Sequence, residues 1–274
     1  MSPLWFVLSF RYGLPNDSKK GRAMYNPQTE RLDEINESLS LIQSKSGLTF
    51  GTDSYLLAAF SRPIPHGICA ELGGGTGVVS LLAASRGRYE HIHSVELQPY
   101  FADLIGRNIS LNHLEHAVTA HCADVRSLNA DTFGGELHAV LSNPPYMKAD
   151  SGQTNAAVEM NIARREENGT IADFCSAARR LLRFGGTFTV VYRPDRFSDL
   201  LCAMRENGLE PKRAVFVYPS IADKPCLVLT EARRGGASGM VFARPLIIYE
   251  DKASSRYTPD MQLIYDTFSL SHLF

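Results

Sequence analysis

The sequence predicts a doubly wound α/β fold: a mostly parallel sheet, helices on both faces and an antiparallel hairpin at one edge. Three observations predict it. Short apolar runs alternate with segments of helical period from residue 68 to residue 207. A glycine-rich turn, Glu71-Leu72-Gly73-Gly74-Gly75-Thr76-Gly77, joins the first of these strands to the first of these helices. Two late strands, 212–218 and 226–231, follow one another with no convincing helical pattern between them. At 274 residues and 44% hydrophobic, the chain is long enough to bury the core of one sizeable α/β domain.

The elements follow in order. Residues 29–49 are polar and mixed, and Leu39–Gln43 is a short strand near their end. Phe50-Gly51-Thr52-Asp53 leads into a helical run over 54–60, with Asp53 or Ser54 as its cap. Pro63 and Pro65 stop that run. Ile68–Leu72 is an apolar strand and Val78–Ser85 a helix. His91–Glu96 is a strand ending in an acid. Pro99–Asn112 puts Phe101, Leu104, Ile105 and Ile109 on one helical face, with Pro99 in the first turn. Ala117–Cys122 is a strand followed by Asp124, and His138–Ser142 is a buried strand. Ile171–Leu182 is a helix, broken by Phe184-Gly185-Gly186 before the strand Thr187–Tyr192. Asp195–Asn207 is a helix closed by Gly208. Lys212–Tyr218 and Cys226–Glu231 form the edge hairpin. Residues 233–239 are rich in Arg, Gly and Ser and read as a loop, and Pro245–Tyr249 is the last apolar run.

Charge and composition narrow the function classes. The net charge of -1 carries no global basic signature, so a nucleic-acid partner requires a local patch. Arg164, Arg165, Arg193, Lys212, Arg213, Arg233 and Arg234 are the cations that could meet phosphates, and Arg233-Arg234-Gly235-Gly236 is the best cluster. The five cysteines are scattered with no CxxC pair, which fits a reduced intracellular, cytoplasmic protein with buried thiols. His91/His93 and His113/His116 have no cysteine or carboxylate at zinc-ligand spacing, so no metal is expected. No apolar stretch approaches a membrane span. Leu4–Phe10 is too short for an anchor and lacks the flanks of a signal peptide.

Two motifs carry chemistry. The glycine turn departs from the G-x-G-x-x-G of dinucleotide sites, because the position that needs the last glycine is Val78. Glycines 73, 75 and 77 let the chain turn tightly and let a ligand approach the backbone. Glu96 ends the next strand roughly 20 residues on, where a carboxylate takes ribose hydroxyls. Asp124 follows the third strand, where it could meet an adenine amino group. Acids after three successive strands converge on one crevice. The second motif is Asn143-Pro144-Pro145-Tyr146. Asn143 offers a carbonyl oxygen, and the prolines hold the backbone extended and leave carbonyls free. Tyr146 can stack on a ring. On its own the tetrapeptide also fits a stiff turn leaving a strand.

Glu71–Gly77, Glu96, Asp124 and Asn143–Tyr146, in this order, resemble the class I S-adenosylmethionine-dependent methyltransferases of the N-P-P-Y amino-methylating type, which have a Rossmann-like fold. Gln43, Phe50–Asp53 and Leu56-Leu57-Ala58 resemble the segment that closes over the cofactor in these enzymes. Ala163–Glu166, Gly185-Gly186 and Pro245–Tyr249 resemble the bacterial tRNA(Val) adenine-37 N6-methyltransferase family. The resemblance spans about residues 29 to 265 and leaves the first 23 residues without a counterpart.

The resemblance implies a domain layout. Residues 1–28 are a disordered or mis-annotated extension, with Met24 as an alternative start. Residues 29–66 are the cofactor-closing segment, 67–250 the methyltransferase domain and 251–274 a tail. It implies S-adenosylmethionine as cofactor, held by Thr52, Asp53, Glu71 and the three glycines, and by Glu96, Leu97, Asp124, Val125 and Asn143. Asn143, Pro144 and Tyr146 would be catalytic. Tyr146, Arg164, Arg165, Arg233 and Arg234 would meet the substrate, a tRNA adenine. A glutamine side chain, rRNA and DNA offer the same kind of nitrogen. A non-catalytic scaffold would need neither Asn143 nor Tyr146.

Overall fold

The computed structural model describes residues 25–46, 50–144, 169–251 and 256–274. The chain opens with an antiparallel hairpin, β1 (Glu30–Asn36) and β2 (Leu39–Ser44). Helix α1 (Thr52–Phe60) leads into the alternating part. There β3 (Ile64–Leu72), α2 (Val78–Ser85), β4 (Tyr89–Glu96), α3 (Pro99–Leu111), β5 (Val118–Cys122) and β6 (Leu137–Ser142) follow in turn. Then come α4 (Ile171–Leu181), β7 (Leu182–Tyr192), α5 (Phe197–Glu206), β8 (Leu209–Tyr218) and β9 (Leu227–Arg234). Two short strands, β10 (Val241–Phe242) and β11 (Leu246–Ile247), and helix α6 (Pro259–Thr267) complete the described chain.

The main sheet has the order β10-β8-β9-β7-β6-β3-β4-β5, with β11 also on β8. From β5 to β7 all neighbours are parallel. Strand β9 runs antiparallel between β7 and β8, so the late hairpin folds back and inserts its second strand next to the parallel part. Alternate residues face opposite sides, as the strand period requires. Cys69, Ala139, Leu141 and Val191 join the core beneath α1, α2 and α6. Ala70, Leu72, Val140 and Val190 join the core beneath α4 and α5. Burial on both faces explains why these strands read as continuous apolar runs.

The structure departs from the sequence reading at several points. The polar segment before Leu39 is a strand, because its hairpin lies on α3 and needs few apolar residues. Helix α1 starts from Gly51 with no side-chain cap, so neither Asp53 nor Ser54 plays that part. Residues 251–274 are no loose tail: Met261, Ile264, Phe268, Leu270 and Leu273 are buried in the main core. Strand β3 begins at Ile64, across the boundary expected at residue 67. Arg233 and Arg234 end β9 rather than lying in a loop. Of the thiols, only Cys69 and Cys175 are buried, while Cys122, Cys202 and Cys226 are exposed.

The hairpin is fastened to α3 by side chains that act as backbone. Asn108 accepts from the Ile42 amide (2.7 Å) and donates to the Ile42 carbonyl (3.0 Å). Asn112 repeats this at Ser40, at 2.9 and 2.7 Å. Four residues of helix rise about 6 Å and two residues of strand about 6.6 Å, so the two amides match the strand's spacing. At the hairpin's other end, the Arg107 guanidinium grips buried Glu30 through two bonds of 2.9 and 2.8 Å. The Asn26 amide and the Tyr100 hydroxyl add further donors. The Arg107 bond, ahead of the others, pulls the Glu30 pKa from 4.5 down to about 2.

A carboxylate held below its unfolded value contributes stability that is present above pH 4.5 and lost as pH falls toward about 2. Urea unfolding measured across that window should show a fall in stability that is smaller in Glu30→Gln. Equal slopes in the two proteins would remove this ion pair as the cause.

Candidate functional site

Strand register assembles the site. Leu72 lies opposite Ser142 on β6 and opposite Val95 on β4. Gly73, Asn143 and Glu96 therefore leave or end three adjacent strands at one height. Consecutive β3 and β4 lie on one side of this point and β6 on the other, so the strand order reverses between β3 and β6. That is where open α/β sheets bind ligands.

The glycine turn is closed by backbone bonds. The Gly73 and Gly74 amides both donate to the Val95 carbonyl at 2.9 Å, and Gly77 donates to Gly74 at 2.8 Å. Gly73, Gly75 and Gly77 have φ of 75°, 55° and 82°, the left-handed region that favours glycine. Gly74 is required by space instead: a Cβ there would lie 2.5 Å from Ser94 Oγ and 3.0 Å from Ile105 Cδ1.

The two acids of the crevice have different tasks. Glu96 accepts from the Gly75 amide through Oε2 and from the Gln98 amide through Oε1, both at 2.9 Å. It thus ties the rim of the turn to the end of β4. Glu71 is buried beneath the turn, where its Oε2 accepts from Ser80 N (3.1 Å), Ser80 Oγ and Ser94 Oγ (3.0 Å). Burial, opposed by these donors, raises its pKa from 4.5 to about 7. These bonds tie the base of the turn to α2 and β4. Ser80 and Ser94 are site-supporting residues that sequence patterns did not mark.

Asn143 has the most directed environment. Its Nδ2 donates to Asp53 Oδ2 (3.0 Å) and Ser54 Oγ (3.3 Å). A carboxylate only accepts, so Asp53 fixes which end of the amide faces it. Asn143 Oδ1 is buried and has no hydrogen-bond partner among the described residues. An acceptor left unpaired inside a protein costs free energy, and a ligand donor would recover it. Asp53 is set in turn by its Oδ1 bond to the Ser54 amide (2.8 Å). A Cβ on Gly51 would come within 2.7 Å of that oxygen, which explains a glycine just before Thr52 and Asp53.

The remaining candidates divide. Pro144 is buried beside Asn143. Thr52 is the first residue of α1, next to Asp53. Leu97 follows β4, and its carbonyl faces the Cys122 thiol (3.8 Å). Val125 is a buried core residue whose carbonyl accepts from Arg180 (3.1 Å). Asp124 reaches the expected edge, but Arg126 occupies its carboxylate with an ion pair of 2.6 Å and holds its pKa low. Arg233 and Arg234 do not join the site. Thr187, at the start of the parallel run of β7, pairs with Arg233, whereas Tyr192 pairs with Val228. Both arginines thus lie at the opposite edge of the sheet, and Arg234 is bound to Glu136 (2.8 Å). Tyr146, Arg164 and Arg165 lie outside the described residues. Among the described residues, no cluster of His, Cys, Asp or Glu could hold a metal ion. No helix there is long and apolar enough to cross a membrane.

Comparison with known proteins agrees with this geometry. Residues 68–147 match the model of the TRM5/TYW2 methyltransferase domain. The chain is 26% identical over 191 residues to a tRNA1(Val) (adenine(37)-N6)-methyltransferase of a Flavobacteriaceae bacterium (strain 3519-10), covering 69% of this chain and 78% of that one. It is 24% identical over 234 residues to a protein of the same name from Porphyromonas gingivalis, covering 82% and 90%. Among solved structures, it is similar to a predicted O-methyltransferase from Agrobacterium tumefaciens (TM-score 0.63, 21% identity, 80% of this chain and 97% of that one). It is also similar to TYW2 of M. jannaschii in complex with AdoMet (TM-score 0.52, 14% identity, 77% and 89%). The fold is that of Rossmann-like class I methyltransferases.

Two variants check the turn. Gly74→Ala should lower unfolding stability by about 1–3 kcal/mol through overpacking, with part of the loss recovered by adding Ser94→Ala. An unchanged unfolding midpoint in Gly74→Ala would mean that the neighbours yield freely. Glu71, with its pKa raised to about 7, favours the protonated folded state. Its contribution is fully present below pH 4.5 and lost as pH rises through about 7. Glu71→Gln should flatten the fall in stability over that range, read by thermal unfolding at a series of pH values.

Proposed function

We propose that this chain is an S-adenosylmethionine-dependent N-methyltransferase that methylates the exocyclic N6 amine of an adenine in tRNA. The observation that carries the reading is the buried Asn143 Oδ1, without a hydrogen-bond partner among the described residues and aligned by Asp53 at the sheet's switch point beside the glycine turn.

The residues present fit the cofactor. The turn is built from left-handed glycines that leave backbone open to close approach. Glu96 stands at its rim with one backbone bond on each oxygen, which leaves a lone pair on each for hydroxyl donors. S-adenosylmethionine supplies, when bound, a methyl group activated by a positively charged sulfur. We assign Glu96 to its ribose, the turn to its close packing and Thr52 to the closing side. Leu97 and Val125 flank the adenine region, and Asp124 reaches it only if Arg126 shares its carboxylate.

An adenine amine is a weak nucleophile because its lone pair is delocalised into the ring. Asn143 Oδ1 accepts one of its N–H bonds and the Pro144 carbonyl accepts the other. The two acceptors draw the nitrogen toward tetrahedral geometry and free the lone pair. They also stabilise the positive charge that develops on it, at no cost of reorganisation. Fixing the amine in this geometry supplies much of the rate. Asp53 is a positioning residue: its negative charge holds the Asn143 NH2 and so turns Oδ1 toward the amine. Tyr146 is assigned to stack on a base taken out of its own stack. The choice of a tRNA adenine over other planar nitrogens is supported by the similarity to the curated tRNA1(Val) (adenine(37)-N6)-methyltransferases.

Removing one preorganised acceptor costs on the order of a hundredfold in rate, so Asn143→Ala should lose at least that in single-turnover methyl transfer while still binding cofactor. Asp53→Asn should lower kcat by about tenfold, the worth of one charge-assisted hydrogen bond, with little change in KM for RNA. The assignment of substrate is tested with labelled cofactor and separate pools of tRNA, rRNA, DNA and release factor, followed by digestion. N6-methyladenosine from tRNA is the expected product. Label in methylglutamine, or only in rRNA or DNA, would overturn the substrate and leave the acceptor chemistry standing.

A further inference from the structure

On the edge of the sheet opposite the glycine turn, a cleft of about 360 Å3 lies between the end of α1, the start of β4, β8 and the C-terminal segment. Arg62, Arg88, Lys212 and Arg213 line it, and no acidic side chain does. Ser269 and Ser271 add hydroxyls.

These cations are poorly compensated. Arg62 and Arg213 share the two oxygens of one buried carboxylate, Glu231, each at 2.8 Å. Arg88 is 6% exposed and has no ion pair among the described residues. Its Nη atoms donate to the carbonyls of Ala59 (3.0 Å), Ser61 and Phe268. Its Nε is buried without a partner among the described residues, as is that of Arg213. Lys212 Nζ meets the Ala237 carbonyl at 2.8 Å. Burial foremost, with like charge from Arg213 and Arg86, lowers the Arg88 pKa. Four cations thus stand against one side-chain carboxylate and the α-carboxylate of Phe274, and a buried guanidinium with no anion is unfavourable unless something supplies one. Phe60 and Phe268 carry part of the charge on their ring faces, at 4.1 Å from Arg213 and 4.8 Å from Arg88. A ring face offers no full negative charge.

We propose that this cleft binds phosphate. The donors of the cleft are guanidinium N–H groups, an ammonium that keeps two N–H bonds beyond the one to Ala237 and the Ser271 hydroxyl, which accepts from Ser269, a set that matches tetrahedral oxyanions. The charge left over exceeds one, which a pyrophosphate, a phosphate monoester or adjacent phosphodiesters of an RNA meet and a single carboxylate does not. The site is separate from the methyl-transfer edge, and α1 joins the two, with Asp53 near one end and Phe60 at the other.

The test titrates the full chain with inorganic pyrophosphate by calorimetry, for wild type, Lys212→Ala and Arg62→Ala. These two side chains are chosen because each makes a single contact with the fold, Lys212 to the Ala237 carbonyl and Arg62 to Glu231, whereas Arg88 holds three carbonyls and Arg213 holds the Phe60 carbonyl as well as Glu231. Wild type should bind, and each variant should bind at least about tenfold more weakly, the worth of a hydrogen bond to a charged group, at an unchanged unfolding midpoint without ligand. A wild-type protein that does not bind, or variants that bind equally well, would overturn the proposal. Methyl-transfer kinetics then separate the sources. A raised KM for RNA at constant kcat assigns the phosphate to an RNA backbone, and an unchanged KM assigns it to a free phosphorylated molecule. The calorimetric arm does not depend on the chain being a methyltransferase.

Discussion

The register between β3 and β6 governs everything at the site. With Leu72 opposite Ser142, the glycine turn and Asn143 emerge side by side where the strand order reverses. A slip of one residue would turn Asn143 to the other face and bury a polar amide among Phe174 and its neighbours. The register is guarded from both faces, since Leu141 and Val140 fill opposite cores. The Ser142 hydroxyl also donates to the Leu72 carbonyl at 2.8 Å, locking the last pair laterally. Apolar packing therefore sets the placement of polar groups that contribute little to stability themselves.

A second layer of order comes from side chains used as substitute backbone. Asn108 and Asn112 extend the hairpin's hydrogen bonding onto a helix, and Asn108 also donates to the Thr76 carbonyl within the glycine turn (2.9 Å). One amide thus touches both the N-terminal hairpin and the turn. Since buried amides are costly unless every donor and acceptor is met, the hairpin, α3 and the turn hold one another in a single arrangement. Gln43 continues the pattern by accepting from the Phe50 amide at 2.6 Å, just before the chain enters Gly51–Asp53.

Much of this was legible in the sequence because it is local. The alternation of apolar runs, the glycine spacing and the acid at Glu96 depend on residues close in the chain, and the fold follows from them. What escaped was set by distant partners. One local pairing also escaped, since no period or spacing announces that Arg126, two residues on, folds back onto Asp124. Arg233 and Arg234 looked like a flexible basic loop, but pairing with β7 carries them to the far edge. The strand at Glu30–Asn36 lacks the usual apolar alternation because amides and an ion pair hold its hairpin. Helix α6 was hidden by its short, mixed composition, although Thr258 caps it through its hydroxyl at 3.2 Å to Met261 N and Pro259 starts it. The link between Asp53 and Asn143 spans 90 positions. Both residues stood out in their own motifs, yet only the fold shows that one orients the other.

The ends of the main sheet have a consequence for behaviour in solution. At one end stands β5, five residues long. At the other, the outer side of β8 is taken by two strands of two residues each, β10 and β11. Among the described residues, neither margin offers a long row of free amides and carbonyls to a strand from another molecule, which is the usual route to sheet-to-sheet polymerisation. The long strands with the greatest β-forming tendency, such as β7 and β9, are enclosed on both sides by partners of the same chain. Self-association at the β8 margin would require β10 and β11 to detach first, and at the other margin only the five residues of β5 are open to a partner.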